Sequence, residues 1–229
     1  MDRQGLLFED TPGLTPKQQA FVRSRDEFAD AGELTDLPAI IKAVQPTVMI
    51  GTSTVHNAFT EAAIKEMAKH ADRPIVFPIS NPTEKIEATP ADLIKWTNGK
   101  ALVATGIPSA TVAYQGIDYQ IGQANNALIY PGVGFGALAV NARIINDEML
   151  AAAAHALGGL VDVKAPGAPV LPPVSQLTAF SKQVAIAVAQ SAIDQGLAQT
   201  DLSAEQAVAA MHWQPEYQPF DQLLANYRK

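Results

Sequence analysis

The chain has 229 residues, of which 48% are hydrophobic and 17% charged, and its formal net charge is −7. This is the composition of a folded domain with a sizeable core, and an acidic chain without a basic patch is not expected to bind nucleic acid. Cysteine is absent, which excludes disulfides, thiolate catalysis and cysteine-ligated metals. No run reaches the roughly 18 apolar residues of a membrane span, and no secretion signal is recognisable. We therefore expect a cytoplasmic protein that does not bind membranes.

The first part of the chain alternates short apolar, β-branched runs with patterns typical of helices. The predicted strands are residues 47–50, 75–77 and 101–104, and the first two are expected to be buried. Helices open between them at Thr60 and at Thr89, two good caps. This order predicts parallel strands joined by crossover helices, in a sheet covered on both faces. The expected fold class is α/β with a doubly wound parallel sheet.

The pattern changes after residue 112. A β-hairpin is predicted around Gln115 and Gly116, between two short apolar runs. From about residue 122 the chain is predicted to be mainly helical to its end. We therefore divide it into a sheet-forming part at about 1–121 and a helical part at about 122–229.

Each predicted strand ends in a small, polar, turn-forming segment. These segments are Gly51-Thr52-Ser53-Thr54, Ser80-Asn81-Pro82-Thr83 and Thr105-Gly106-Ile107-Pro108-Ser109. In parallel α/β sheets ligands bind beyond the carboxyl ends of the strands, where all three segments should lie. One such segment alone is ordinary loop chemistry, since Gly, Asn, Pro and Ser dominate turns. Three on one edge favour a ligand site.

Several other classes of site are not indicated. No G-x-G-x-x-G motif follows a predicted strand, and the spacing of Gly132, Gly134 and Gly136 is better explained by close helix packing. The four histidines lack the spacing that would clamp zinc. Asp147 and Glu148 would point apart on a helix. We therefore assign no metal ligand and no catalytic acid or base to this chain.

Two adjacent asparagines, Asn125 and Asn126, precede an apolar run at residues 127–130. An asparagine amide both donates and accepts hydrogen bonds, so it can hold a carboxylate or a carboxamide without adding charge. Asparagine is equally suited to capping a helix. The pattern alone leaves both interpretations open.

Several of these segments resemble the signature segments of malic enzymes. The resemblance is carried by Ser80-Asn81-Pro82-Thr83, Gly122-Gln123-Ala124-Asn125-Asn126 and Tyr130-Pro131-Gly132, and it extends in order over nearly the whole chain. The segments most similar to the malolactic branch of the family, from lactic acid bacteria, are residues 94–96, 101–108, 122–132 and 213–217. The resemblance implies that residues 1–229 are the C-terminal, NAD-binding part of such an enzyme, with a partial Rossmann-like fold.

The resemblance also implies roles for the asparagines. Asn81 matches an asparagine that contacts the nicotinamide side of NAD. Asn125 matches one that holds the substrate and the nicotinamide ribose region, and Asn126 matches a neighbour that contacts malate.

Two further cofactor contacts are implied by the resemblance. Asp2 matches an acidic residue that binds the adenosine ribose. Gly51, Thr52 and Ser53 match a loop beside the cofactor, where hydroxyl groups replace the second glycine that is common in the family.

By the same resemblance, the catalytic tyrosine and lysine, the metal-binding carboxylates and the glycine-rich phosphate loop lie upstream of this chain. The intact enzyme would bind NAD, Mn²⁺ or Mg²⁺, and malate, and would form a homo-oligomer. A malolactic enzyme returns the hydride and releases lactate and CO2, whereas a malic enzyme releases pyruvate and NADH. We expect this chain alone to be inactive. An NAD-dependent malic enzyme and a non-catalytic binding or assembly module remain alternatives.

Overall fold

Helices and strands alternate through the first half of the chain, as predicted. A computed structural model describes residues 1–212, so the segment at residues 213–217 lies outside the described residues. The helices are α1 (Pro16–Gln19), α2 (Leu37–Val44), α3 (Glu61–His70), α4 (Pro90–Trp96), α5 (Tyr130–Ala139), α6 (Asp147–Gly158), α7 (Leu177–Asp194) and α8 (Ala204–Met211). The strands are β1 (Val48–Gly51), β2 (Ile75–Pro78), β3 (Leu102–Thr105), β4 (Val112–Tyr114), β5 (Ile117–Tyr119) and β6 (Gly122–Gln123). None of the helices described is both long and apolar enough to cross a membrane.

The central sheet has four parallel strands in the order β1-β2-β3-β6. The register sets Gly51 beside Pro78, and Ala104 beside Gly122. Helices α2, α3 and α4 are capped by Asp36, Thr60 and Thr89, whose side-chain oxygens each accept a hydrogen bond from a backbone N–H of the first helical turn. The predicted α/β class with a parallel sheet is confirmed.

Strand β1 is an edge strand, and the expectation that it is fully buried was wrong. Met49 is buried, but Val48 and Ile50 are 46% and 59% exposed. Successive side chains of a strand point to opposite faces, and the face of Met49 packs in the core with Phe59 and Ile64. A short apolar run does not reveal which strand lies at an edge. Strand β3, which lies between β2 and β6, is buried at every position.

The sheet continues past residue 121, where the sequence predicted a change to helix. Gly122 and Gln123 pair with β3 as a fourth parallel strand. The glycine gives little strand signal, yet a Cβ there would lie only 3.1 Å from the Cβ of Ala104. The described chain forms two compact units, which are residues 1–128 with 157–178, and residues 129–156 with 179–212.

The predicted hairpin is confirmed. Strands β4 and β5 pair antiparallel, with Val112 opposite Tyr119. Gln115 and Gly116 have φ values of +51° and +78°. These left-handed conformations are those that a two-residue hairpin turn requires.

In the second unit, the glycines of α5 allow close helix packing, as the sequence predicted. A Cβ at Gly132 would lie 2.5 Å from Cγ1 of Val184, and one at Gly136 would lie 2.3 Å from the carbonyl oxygen of Ala185. Gly134 has no such neighbour within 4 Å. Two of the three glycines are therefore required by the close approach of α7, through a side chain at Gly132 and a backbone oxygen at Gly136.

We predict that Gly136→Ala destabilises the protein by about 1–3 kcal/mol, because the added methyl group overlaps a backbone oxygen. Gly134→Ala is the matched control and should stabilise the protein by about 0.5–1 kcal/mol, since alanine favours the helix and the site is open. Urea unfolding followed by circular dichroism measures both. Equal unfolding midpoints for the two variants would contradict the packing explanation.

Candidate functional site

Four chain segments follow the parallel strands β1, β2, β3 and β6 at their carboxyl ends. The segments are residues 52–58, 79–82, 106–109 and 124–126. Because the strands are parallel neighbours, the segments share one edge of the sheet, here called the carboxyl-end edge. The expectation that three polar strand ends lie on one edge is confirmed. Strand β6 adds the asparagine pair as the fourth segment, which the sequence alone did not place there.

Glu87 lies beneath the first two segments, although sequence analysis did not single it out. It is 0% exposed. Its Oε1 accepts a hydrogen bond from the backbone N–H of Ser53 at 2.7 Å and from the Ser53 hydroxyl at 2.8 Å. The same oxygen accepts a bond from the Ser80 hydroxyl at 2.5 Å. One carboxylate oxygen therefore joins the segment after β1 to the segment after β2.

The two serine hydroxyls extend this network into the first segment. The Ser80 hydroxyl accepts a bond from the N–H of Thr54 at 2.9 Å, and the Ser53 hydroxyl accepts one from the N–H of Val55 at 3.1 Å. Buried polar groups are costly unless they are hydrogen-bonded. The network meets this requirement with hydroxyl and N–H donors only.

The pKa of Glu87 reflects two opposing effects. Burial raises the pKa, whereas the hydrogen bonds from Ser80 and Ser53 lower it, and the net pKa lies below the ordinary value of 4.5. The side chain is therefore a carboxylate at neutral pH. Among residues 1–212, serine and backbone donors hold this charge, and no Lys, Arg or His forms a salt bridge with it.

Two glycines allow side chains to approach the strand ends closely. A Cβ at Gly51 would lie 2.6 Å from Cδ of Glu87 and 2.8 Å from Cζ of Phe59. A Cβ at Gly106 would lie 3.0 Å from both polar atoms of the Asn81 amide. The Asn81 side chain thus rests against the third segment, while the residue as a whole is exposed.

The asparagine pair is exposed, and one member also caps a turn. Oδ1 of Asn125 accepts a bond from the N–H of Ala127 at 2.8 Å. The N–H of Ala124 donates to the carbonyl of Thr105 at 2.9 Å, which fixes the segment to β3. The capping interpretation is therefore correct for the Oδ1 of Asn125, and its Nδ2 takes no part in that bond. The side chain of Asn126 is exposed at the same edge.

Six of the seven residues predicted as cofactor or substrate contacts lie at the carboxyl-end edge, and the seventh, Asp2, forms bonds within the amino-terminal segment. The six are Gly51, Thr52, Ser53, Asn81, Asn125 and Asn126. Asp2 forms a β-bridge with Gly5, and its carboxylate accepts bonds from the N–H of Arg3 and from the side chain of Gln18. These bonds hold Asp2 within the amino-terminal segment.

Within residues 1–212, no three His, Asp or Glu side chains come together in a group that could hold a metal ion. The described residues of this chain do not fit a divalent metal on their own. No metal-dependent step is assigned to them.

Comparison with known proteins gives the family. Residues 1–193 match the family described as "Malic enzyme, NAD binding domain". This chain belongs to the malic enzyme family. The resemblance inferred from the sequence segments is confirmed.

The relatives include both branches of the family. The chain is 62% identical over 218 residues to the malolactic enzyme of Lactiplantibacillus plantarum, an alignment that covers 95% of this chain and 40% of the relative. It is 45% identical over 225 residues to NAD-dependent malic enzyme 3 of Bacillus subtilis, an alignment that covers 96% of this chain and 40% of that relative. It thus spans about 40% of the length of these curated relatives.

The fold is also found in solved malic enzymes. The crystal structure of Entamoeba histolytica malic enzyme matches 92% of this chain and 40% of that chain, with a TM-score of 0.68 and 24% sequence identity. At this identity the likeness shows the fold.

We predict that Glu87→Gln lowers the stability of the chain at pH 7 and makes that stability less dependent on pH in the acid range. The folded pKa is below 4.5, so the carboxylate contributes stability above that value, and this contribution is lost as the pH falls through the folded pKa. Urea midpoints of wild type and E87Q should therefore differ at pH 7 and converge on acidification. Glu84→Gln, at an exposed position, is the control. A constant difference between wild type and E87Q across the acid range would refute the assignment.

Proposed function

We propose that this chain is the C-terminal, cofactor-orienting part of an NAD-dependent malolactic enzyme, which converts L-malate to lactate and CO2. One observation carries the proposal: the segments that bear Asn81 and the pair Asn125-Asn126 share the carboxyl-end edge in a chain of the malic enzyme family. The identity of 62% to a malolactic enzyme, against 45% to an NAD-dependent malic enzyme, supports the malolactic outcome.

We assign the nicotinamide side of NAD to the carboxyl-end edge. Bound NAD supplies the hydride acceptor for oxidation of the malate hydroxyl carbon. Gly51, Thr52 and Ser53 would line one side of the cofactor, and Asn81 would contact the nicotinamide. The position of the Asn81 amide supports this, because it lies exposed at the edge in space that a side chain at position 106 would crowd.

We assign malate binding to Asn125 and Asn126. Amide groups can orient the carboxylates of malate through hydrogen bonds and leave the charge of the site unchanged. Since Oδ1 of Asn125 accepts a bond from Ala127, its Nδ2 would face the ligand as a donor. Asp2 is proposed as the contact to the adenosine ribose.

Proton transfer and metal binding are assigned to the remainder of a longer protein. This chain matches about 40% of the length of its relatives, and its described residues do not group into a metal site. No glycine-rich loop follows a strand within residues 1–212, so the pyrophosphate would lack its usual cradle. We therefore propose that this chain alone binds NAD weakly and does not turn over malate.

We also propose a cytoplasmic location, because the lack of cysteine suits the reducing cytoplasm.

A chimera tests the proposal. This chain replaces the matching 218-residue segment of the Lactiplantibacillus plantarum malolactic enzyme. With L-malate, NAD and Mn²⁺, we expect the chimera to form lactate without net NADH, and this chain alone to form neither. The parent malolactic enzyme is the positive control.

The other outcomes separate the alternatives. Pyruvate and stoichiometric NADH from the chimera would assign an NAD-dependent malic enzyme. A folded chimera that lacks turnover would favour a non-catalytic binding or assembly module. Turnover by this chain alone would contradict the division of labour between the two parts.

We further infer that this chain, without the remainder of the longer protein, associates with copies of itself. Strand β1 exposes Val48 and Ile50 at the edge of the sheet, and in the second unit Tyr130 and Leu138 are 68% and 66% exposed. Monomeric proteins rarely leave large apolar patches bare.

We predict that the chain is oligomeric at micromolar concentration and that Val48→Thr with Ile50→Thr lowers its mean mass, measured by static light scattering. Threonine keeps the strand propensity and removes apolar surface. Val55→Thr, at an exposed position outside the strand, should leave the mass unchanged. A monodisperse monomer would disprove the inference.

A further inference from the structure

The segment after β1 is fixed to residues 86–87 at both of its ends. At its start, the N–H and hydroxyl of Ser53 bond Oε1 of Glu87. At its end, the N–H of Asn57 donates to the carbonyl of Ile86 at 3.1 Å, and the N–H of Phe59 donates to the carbonyl of Glu87 at 2.9 Å. The residues between these attachments are exposed.

This exposed segment has a backbone conformation that needs external support. Thr54 and Asn57 have φ values of +58° and +56°. Left-handed conformations are uncommon for residues other than glycine, and threonine, being β-branched, adopts them at a particular cost. The N–H of Thr54 is held by the Ser80 hydroxyl, and that hydroxyl is held by Glu87. The conformation at Thr54 therefore depends, through Ser80, on the acceptor oxygen of Glu87.

The same carboxylate fixes the position of the second segment. Ser80, which precedes Asn81, is buried at 6% exposure and donates its hydroxyl hydrogen to Oε1 of Glu87. The Asn81 amide lies beside Gly106. A change at Glu87 should thus alter two neighbouring loops together, while the packing of β3 is unaffected.

An apolar residue could fill the space of Glu87 but could not replace its function. Three donors converge on Oε1, and each would lose its partner in a buried or half-buried setting. A buried charge is itself expensive. A buried carboxylate that takes its bonds from the two loops of a ligand edge, and from no cation in the part of the chain that the structure describes, is best explained by the fixed loop geometry it provides.

We propose that Glu87 is a positioning residue for NAD binding. Its carboxylate holds the segments after β1 and β2 in the geometry that receives the nicotinamide side of the cofactor. The role in NAD binding rests on the proposed function. The fixing of the two loops rests on the hydrogen bonds alone. Glu87 acts through Ser53 and Ser80.

Three substitutions test separately the length of the Glu87 side chain, its charge and its hydrogen-bond partner Ser80. Glu87→Asp keeps the charge but shortens the side chain, so neither carboxylate oxygen would reach both serines. Glu87→Gln removes the charge, and with it part of the stability, but keeps an acceptor oxygen at the same reach, so it should retain most of the loop geometry and of the function. Ser80→Ala removes the hydroxyl that links Glu87 to Thr54 and covers the case in which E87D does not fold. Glu84→Gln is the control.

The first measurement is amide hydrogen exchange on the 229-residue chain. In E87D and S80A, we expect the N–H groups of Ser53 and Thr54 to exchange at least about tenfold faster than in wild type. Exchange in β3 should be unchanged, and E87Q should be close to wild type. Unchanged exchange at Ser53 and Thr54 in both variants would overturn the fixing of the loops by Glu87.

The second measurement is steady-state kinetics of the chimera with the same substitutions. We expect the KM for NAD to rise about tenfold in E87D and severalfold in S80A, with the KM for malate unchanged and E87Q within about threefold of wild type. A merely structural role would reduce the amount of active enzyme and its melting temperature, and would leave both KM values as they are.

The outcomes distinguish the inference from the function on which it rests. An active chimera with an unchanged KM for NAD in E87D and S80A would overturn the inference and leave the proposed function intact. A wild-type chimera without NAD-dependent malate turnover would overturn both. Faster exchange together with a raised KM for NAD, rescued by E87Q, would establish the positioning role.

Discussion

The parallel pairing of β1, β2, β3 and β6 is the constraint on which the candidate site depends. Parallel strands must return by crossover connections, so every strand ends at the same edge, and the segments that follow become neighbours although up to about 70 residues separate them in the chain. The register then sets which residues meet, with Gly51 beside Pro78 and Thr105 beside Gln123. Polar residues that are ordinary turn formers in isolation thus become a single polar edge.

Adjacency alone does not fix the shape of that edge, and a buried charge supplies the missing restraint. The Glu87 carboxylate accepts bonds from two loops, and Gly51 leaves the space it occupies. Hydrogen bonds to an ionised acceptor are stronger than those between neutral groups, so the pKa falls despite the burial. The loops can remain exposed to a ligand because their anchor lies beneath them, in the interior of the unit. In the same segments, the groups bonded to Glu87 fix the loops, and the exposed residues remain accessible to a ligand.

Local patterns in the sequence predicted local structure well. The hairpin at Gln115-Gly116, the caps at Thr60 and Thr89, and the close packing at Gly132 and Gly136 were all predicted correctly, because each depends on neighbours within a few residues or on one missing Cβ. The errors concerned β1 and β6. Whether a strand lies at an edge, and whether a glycine and its neighbour form a strand, depends on pairing partners far along the chain. Hydrophobic periodicity does not identify those partners.

The sequence by itself determined the α/β class, the family and the residue types at the strand ends, because these follow from periodicity, turn chemistry and a resemblance spread over nearly the whole chain. Only the tertiary structure decided that Asn125 lies at the same edge as Asn81, that Asp2 bonds within its own segment, and that Glu87 anchors the loops. In the sequence Glu87 is one acidic residue next to a helix cap. Its burial and its bonds to Ser53 and Ser80, 34 and 7 residues away, exist only once the sheet has brought those residues together.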